Sequence, residues 1–134
     1  MTVKSNSIKI NTSKKFEIID ITSKINELIE INEGIISIFS KHSTSAIVVN
    51  ENESGLLKDF EFSLENLITD KYSYNHDRID NNARSHLKSF LLSSSESLPV
   101  KSKKLDLGTW QSVFFVELDG PRSSRTITLT MVGE

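Results

Sequence analysis

The segment Thr126-Ile127-Thr128-Leu129-Thr130-Met131 alternates polar and apolar residues without a break. Successive side chains of an extended chain point to opposite faces, so a period of two specifies a strand with one face buried and the other wet. Such a strand is not stable alone. It requires neighbouring strands to pair with and an apolar layer against its dry face. The extended reading covers residues 124–132.

Other segments supply partners. Residues 98–101, 105–107 and 109–118 read as strands, and 35–40 and 45–50 are β-branched runs joined through Lys41-His42-Ser43-Thr44. Near the start, the Ile-rich segments 7–11 and 16–22, separated by polar Asn-Thr-Ser-Lys, read as a hairpin. Three stretches carry a helical period instead. Thr22 or Ser23 can cap a helix with the stripe Ile25, Leu28 and Ile29, and Gly34 is placed to end it. Leu56, Leu57, Phe60, Leu64, Leu67 and Ile68 form the clearest stripe in the chain. After a polar loop over 72–80, Asn81 is placed to cap a third helix with Ala83, Leu87, Phe90 and Leu91 on one face and Ser93-Ser94-Ser95 at its end. Strands at both ends with helices between them lack the regular alternation of a doubly wound parallel sheet. The expected class is α+β, a mixed and largely antiparallel sheet with inserted helices. Its 134 residues, 37% of them hydrophobic and without a linker-like stretch, are expected to form one domain over 1–134.

Composition removes several function classes. Without cysteine there is no disulfide framework, thiolate metal site or cysteine nucleophile, so a metal has to rest on His, Asp, Glu, Asn or backbone oxygen. A net charge of −2 with scattered Lys and Arg argues against a nucleic-acid partner, and Lys101-Ser102-Lys103-Lys104 reads as a solvated hairpin loop. No run of 18 apolar residues and no apolar leader stretch occurs, so a cytoplasmic protein without a membrane partner is expected. Five dispersed glycines assemble neither a phosphate loop nor a dinucleotide fingerprint, and no Gly-x-Ser-x-Gly elbow is present.

The chemistry-bearing residues are few. His42, His76 and His86 are the only histidines, each in a polar setting near the end of an expected element. Three imidazoles with an open fourth position suit a zinc-like ion, but separations of 34 and ten residues match no local ligand signature, so spacing alone favours unrelated roles over a shared site. Glu51 can act as a base or bind magnesium through water, whereas Glu53 favours the start of the next helix through its dipole. Asp77, beside His76, is the stronger site candidate of its loop, and Asp80 the better helix cap. Ser43 and Thr44 offer hydroxyls and turn amides to a phosphate or carboxylate. Trp110 and Gln111 can stack on a flat heterocycle and read its edge, or belong to the core. Asp119-Gly120-Pro121-Arg122 is a turn between strands, from which Arg122, with Arg125, can bind an anion.

Leu107-Gly108-Thr109-Trp110-Gln111, Asp119-Gly120-Pro121-Arg122, His42-Ser43-Thr44-Ser45-Ala46 and Ser85-His86-Leu87-Lys88 together resemble the YjbQ family, whose members are called secondary thiamine-phosphate synthases. The resemblance runs from about His42 to the C-terminus. Tyr74-Asn75-His76 and Asn50-Glu51-Asn52 also match family segments, and Lys103 stands in a turn where the family usually has glycine. The resemblance implies a layered fold assembled as a homotrimer, with His42, His76 and His86 gathered around a divalent metal, zinc-like by its ligands, although magnesium suits a diphosphate better. It further implies coupling of a pyrimidine diphosphate to a thiazole phosphate, with Ser43, Thr44 and Arg122 meeting phosphate, Trp110 stacking and Gln111 beside it. Glu51 and Asp77 are the catalytic candidates. Two alternatives stay open: metal-dependent hydrolysis of a small metabolite, and a non-enzymatic trimeric module that binds a metal or anion.

Overall fold

The computed structural model describes residues 1–134. Its strands are β1 (Thr2–Ile10), β2 (Glu17–Asp20), β3 (Gly34–Ser40), β4 (Ser45–Glu51), β5 (Ser95–Lys101), β6 (Lys104–Leu105), β7 (Gln111–Glu117) and β8 (Arg125–Gly133). Its helices are α1 (Thr22–Leu28), α2 (Ser54–Leu67) and α3 (Ala83–Leu92), with a short 3-10 turn at Asn75–Arg78. All strand pairings are antiparallel. They form a five-stranded sheet, β1-β8-β3-β5-β6, and a three-stranded sheet, β2-β7-β4. This is the α+β class that the strand and helix periods require.

The alternating strand β8 is central to the larger sheet. Ile127, Leu129 and Met131 are sealed on its inner face, while Thr126, Thr128 and Thr130 remain partly exposed. That inner face packs on the smaller sheet through Ile8, Ile36 and Ile38 against Ile47, Val113 and Phe115, with Ile21, Ile25, Ile29 and Ile31 closing the layer. Strand β7 reads differently: Val113 to Glu117 are all buried. Both of its faces are covered, so its apolar residues run without alternation. On its outer side Ala46, Val116 and Leu118 meet Phe16, Phe60 and Leu92.

Several local expectations are corrected. Residues 7–11 and 16–22 are not a hairpin, because β1 pairs with β8 and β2 with β7, in different sheets. Local pattern marks both as extended but does not choose their partners. Helix α1 has no side-chain cap; Thr22 instead donates to Asp20 Oδ1 at 2.6 Å and accepts from Val113 N at 2.8 Å. Gly34 opens β3 rather than ending that helix, and a Cβ there would lie 2.1 Å from the Val132 carbonyl. The third helix begins two residues beyond Asn81, with Asn82 at its N-cap position, and its first amide, Ala83 N, donates to Asp77 Oδ1 at 2.9 Å; the capping carboxylate is that of Asp77, not Asp80. Glu53 goes further than a dipole partner, since its carboxylate accepts from Gly55 N at 2.6 Å and Leu56 N at 3.0 Å.

The face of α3 is inverted. Ala83, Ser85, Lys88 and Ser89 are buried, while Leu87, Phe90 and Leu91 are exposed, Phe90 at 86%. Ser85 Oγ donates to the Leu118 carbonyl and Ser89 Oγ to the Ser45 carbonyl, both at 2.6 Å. Small hydroxyl-bearing side chains bring the helix backbone close to the sheet, and the apolar stripe is left facing outward.

Candidate functional site

The β3–β4 connection and α3 enclose a cleft of about 460 Å³. His42 and Ser43 come from the connection and His86, Ser89 and Phe90 from the helix, with Lys41 and Ser94 also on its walls. His86 also lines an adjoining cavity with His76 and Tyr74. The His76 and His86 rings meet edge to face, with centroids 4.7 Å apart. The three histidines therefore follow one another along the same side of the protein, although the topology, not their spacing, brings them there.

Their protonation is individually set. The Thr126 amide donates to His42 Nε2 at 2.8 Å, so this ring is neutral and carries its proton on Nδ1. Burial lowers the proton affinity of His42, and the nearby positive charges of Arg125 and Arg122 lower it further against an opposing contribution from Glu117. His76 Nε2 is buried without a hydrogen-bond partner, 3.8 Å from Asp80 Oδ2. No group of three or more His, Asp or Glu side chains in the protomer is spaced to hold a metal ion. His42 stands outside such a set because the nitrogen it would offer already accepts the Thr126 amide.

The remaining candidates divide between two ends of the smaller sheet. Ser43 is exposed on the cleft, but Thr44 is buried and its Oγ1 accepts from Arg125 Nη2 at 3.0 Å. Arg125 does not face an anion from solvent either; it is paired internally with Glu117. Arg122 lies on the histidine side, where it pairs with Asp119 at 3.0 Å. Asp77 is committed to capping α3. Glu51, by contrast, ends β4, six residues beyond Ser45, a distance of about 20 Å along a strand. It pairs in register with Gln111, whose Oε1 accepts from Gly108 N at 2.9 Å, and Trp110 beside them is 73% exposed. Within one protomer, Glu51, Trp110 and Gln111 thus do not share the histidine cleft.

A polar hub that the sequence motifs do not announce lies close enough to His42 to act on its charge. Glu117 accepts from Arg125 and from Thr12 Oγ1, and Asp119 gathers Lys15, Arg122 and Asn82. Burial alone would raise the Glu117 carboxyl; hydrogen bonds from Arg125, Thr12 and the Asp119 amide outweigh it and hold the group ionised. The available signal was an acid at the end of the apolar run Val113 to Val116, where a strand position buried on both sides demands a partner.

The family described as UPF0047 protein YjbQ-like matches residues 6–134, a wider span than the motifs from His42 onward. A UPF0047 protein of Methanothermobacter thermautotrophicus is 49% identical, covering 100% of this chain and 95% of its own length. The UPF0047 protein YugU of Bacillus subtilis is 32% identical over 95% of this chain and 98% of its own length. The crystal structure of a YbjQ-like protein of unknown function from Sulfolobus solfataricus superposes with a TM-score of 0.95 at 42% identity, covering 99% of both chains. No helix of the protein is long and apolar enough to cross a membrane.

Proposed function

The chain belongs to the UPF0047 YjbQ-like family, and from that premise we propose that it is an enzyme of the secondary thiamine-phosphate synthase type. In that reaction the thiazole nitrogen attacks the methylene carbon of the pyrimidine diphosphate, the carbon–oxygen bond breaks, and pyrophosphate leaves with the bonding pair. The observation that supports this reading is the shared cleft of His42 and His86, whose walls carry serine hydroxyls and the Lys41 ammonium. A diphosphate needs such donors as charge accumulates on its oxygens. His42, neutral through its bond to Thr126, would offer Nδ1–H, and His86 would flank the same oxygens from the helix side of the cleft.

The divalent ion implied by the family resemblance would rest on His76 and His86, the two rings in contact, with its other ligands coming from water or from outside the protomer. No step of the proposal depends on it. A second reading, hydrolysis of one phosphorylated metabolite, draws support from the unpartnered His76 Nε2. The assembly proposed is a homotrimer that covers the outward stripe Leu87, Phe90 and Leu91.

The test is to incubate purified protein with the pyrimidine diphosphate and thiazole phosphate, together and singly, and separate the products. Thiamine phosphate and pyrophosphate formed only from the pair, with a loss of tenfold or more in His86→Ala, are expected. Inorganic phosphate released from either substrate alone would establish hydrolysis instead, and no conversion under any condition would leave the non-enzymatic module.

A further inference from the structure

A second cavity, of about 290 Å³, separates α2 from the outer face of the smaller sheet. It lies at the low end of the usual range for ligand sites and has room for about ten waters at liquid density. Helix α2 carries the clearest apolar stripe in the chain, yet only Leu64 on it is buried. Phe60 packs at the edge of the Ala46, Val116 and Leu118 cluster, but helix and sheet do not close fully, and Leu56, Leu57 and Phe60 of the helix and Phe114 and Val48 of the sheet line the space between.

Seven of its eleven lining residues are hydrophobic, and the four others are Asn50, Glu51, Asp59 and Ser63. No lysine or arginine lines it. Neither Glu51 nor Asp59 takes part in an ion pair, so no cation of the chain neutralises the two carboxylates at the cavity wall. An apolar chamber with aromatic faces and two uncommitted negative charges complements an apolar body that carries one positive charge, because the body fills the chamber while the charge stays at the carboxylates.

We propose that this cavity binds a compact apolar amine or other organic cation, with its ring or chain between Val48, Phe60 and Phe114 and its charge held by Glu51 and Asp59. The site is separate from the histidine cleft and does not rest on the proposed coupling reaction.

The test uses benzylamine, cationic at neutral pH, and benzyl alcohol as its neutral counterpart, each titrated into the full-length protein while backbone amide resonances are followed. Benzylamine is expected to shift the amides of residues 48–51 and 56–63 saturably and to bind at least fivefold more tightly than benzyl alcohol. The double variant Glu51→Gln/Asp59→Asn, checked for folding by its spectrum, should bind the two probes equally. Equal affinity of both probes for the unaltered protein would overturn the proposal, as would no saturable shift in those segments or shifts centred on His42 and His86. None of these readouts measures turnover, so the result stands apart from the fate of the coupling assay.

Discussion

Nε and Nη2 of Arg125 close on the two oxygens of the Glu117 carboxylate, and both side chains are withdrawn from solvent. Thr12 Oγ1 adds a bond to the same carboxylate at 2.6 Å, and Thr44 accepts from the guanidinium. The pair ties β7 to β8, and so joins the two sheets beside His42.

Arg125→Met leaves the Glu117 charge buried and unpaired. We expect a loss of roughly 3–5 kcal/mol in urea unfolding, with Glu117→Leu/Arg125→Met recovering most of it, since removing both charges also removes their desolvation cost.

Asp119 controls acid stability. Burial favours its protonated form, but hydrogen bonds from Lys15 and Asn82, the Lys15 charge and Arg122 bring the carboxyl from 3.8 to about 2. The folded state therefore holds fewer protons than the unfolded state between those values. Its contribution is complete above 3.8 and lost as the pH falls to about 2. Because Lys15 and Arg122 are more than half exposed, this amounts to at most about 2 kcal/mol. Asp119→Asn should flatten that part of the acid unfolding curve.

Ser102 and Lys103 connect β5 to β6 with φ of 52° and 64°. Both lie in the left-handed region that a two-residue hairpin needs and a Cβ disfavours. Lys103→Gly should stabilise the protein by about 1 kcal/mol and raise the melting temperature by about 4 °C in a calorimetric scan.

Phe90 touches almost nothing within its own protomer. Phe90→Asp should leave protomer stability within about 0.5 kcal/mol in dilute solution. Sedimentation is expected to show a trimer for the unaltered chain and a monomer for the variant.

Periodicity identified most of the elements correctly because it is a local property. The alternation in β8, the β-branched runs of β3 and β4 and the helical stripe of α2 each occupy a few consecutive residues, and backbone geometry converts those intervals directly into faces. The functional candidates were legible as residue types but not as a constellation. His42, His76 and His86 do converge on one side, yet Glu51 and Trp110, though motif-bearing, lie about one strand length away.

Local pattern along the chain settles which segments are extended or helical, excludes cysteine chemistry, and carries the family resemblance. Long-range packing is what sends β1 and β2 into different sheets, turns the serines of α3 inward, and gives Arg125 to Glu117 rather than to a ligand. These outcomes depend on contacts between residues far apart in the chain. An apolar stripe or a lone guanidinium has the same local appearance whether it meets a core, a partner or water, and the competition among distant partners for burial and charge selects between them.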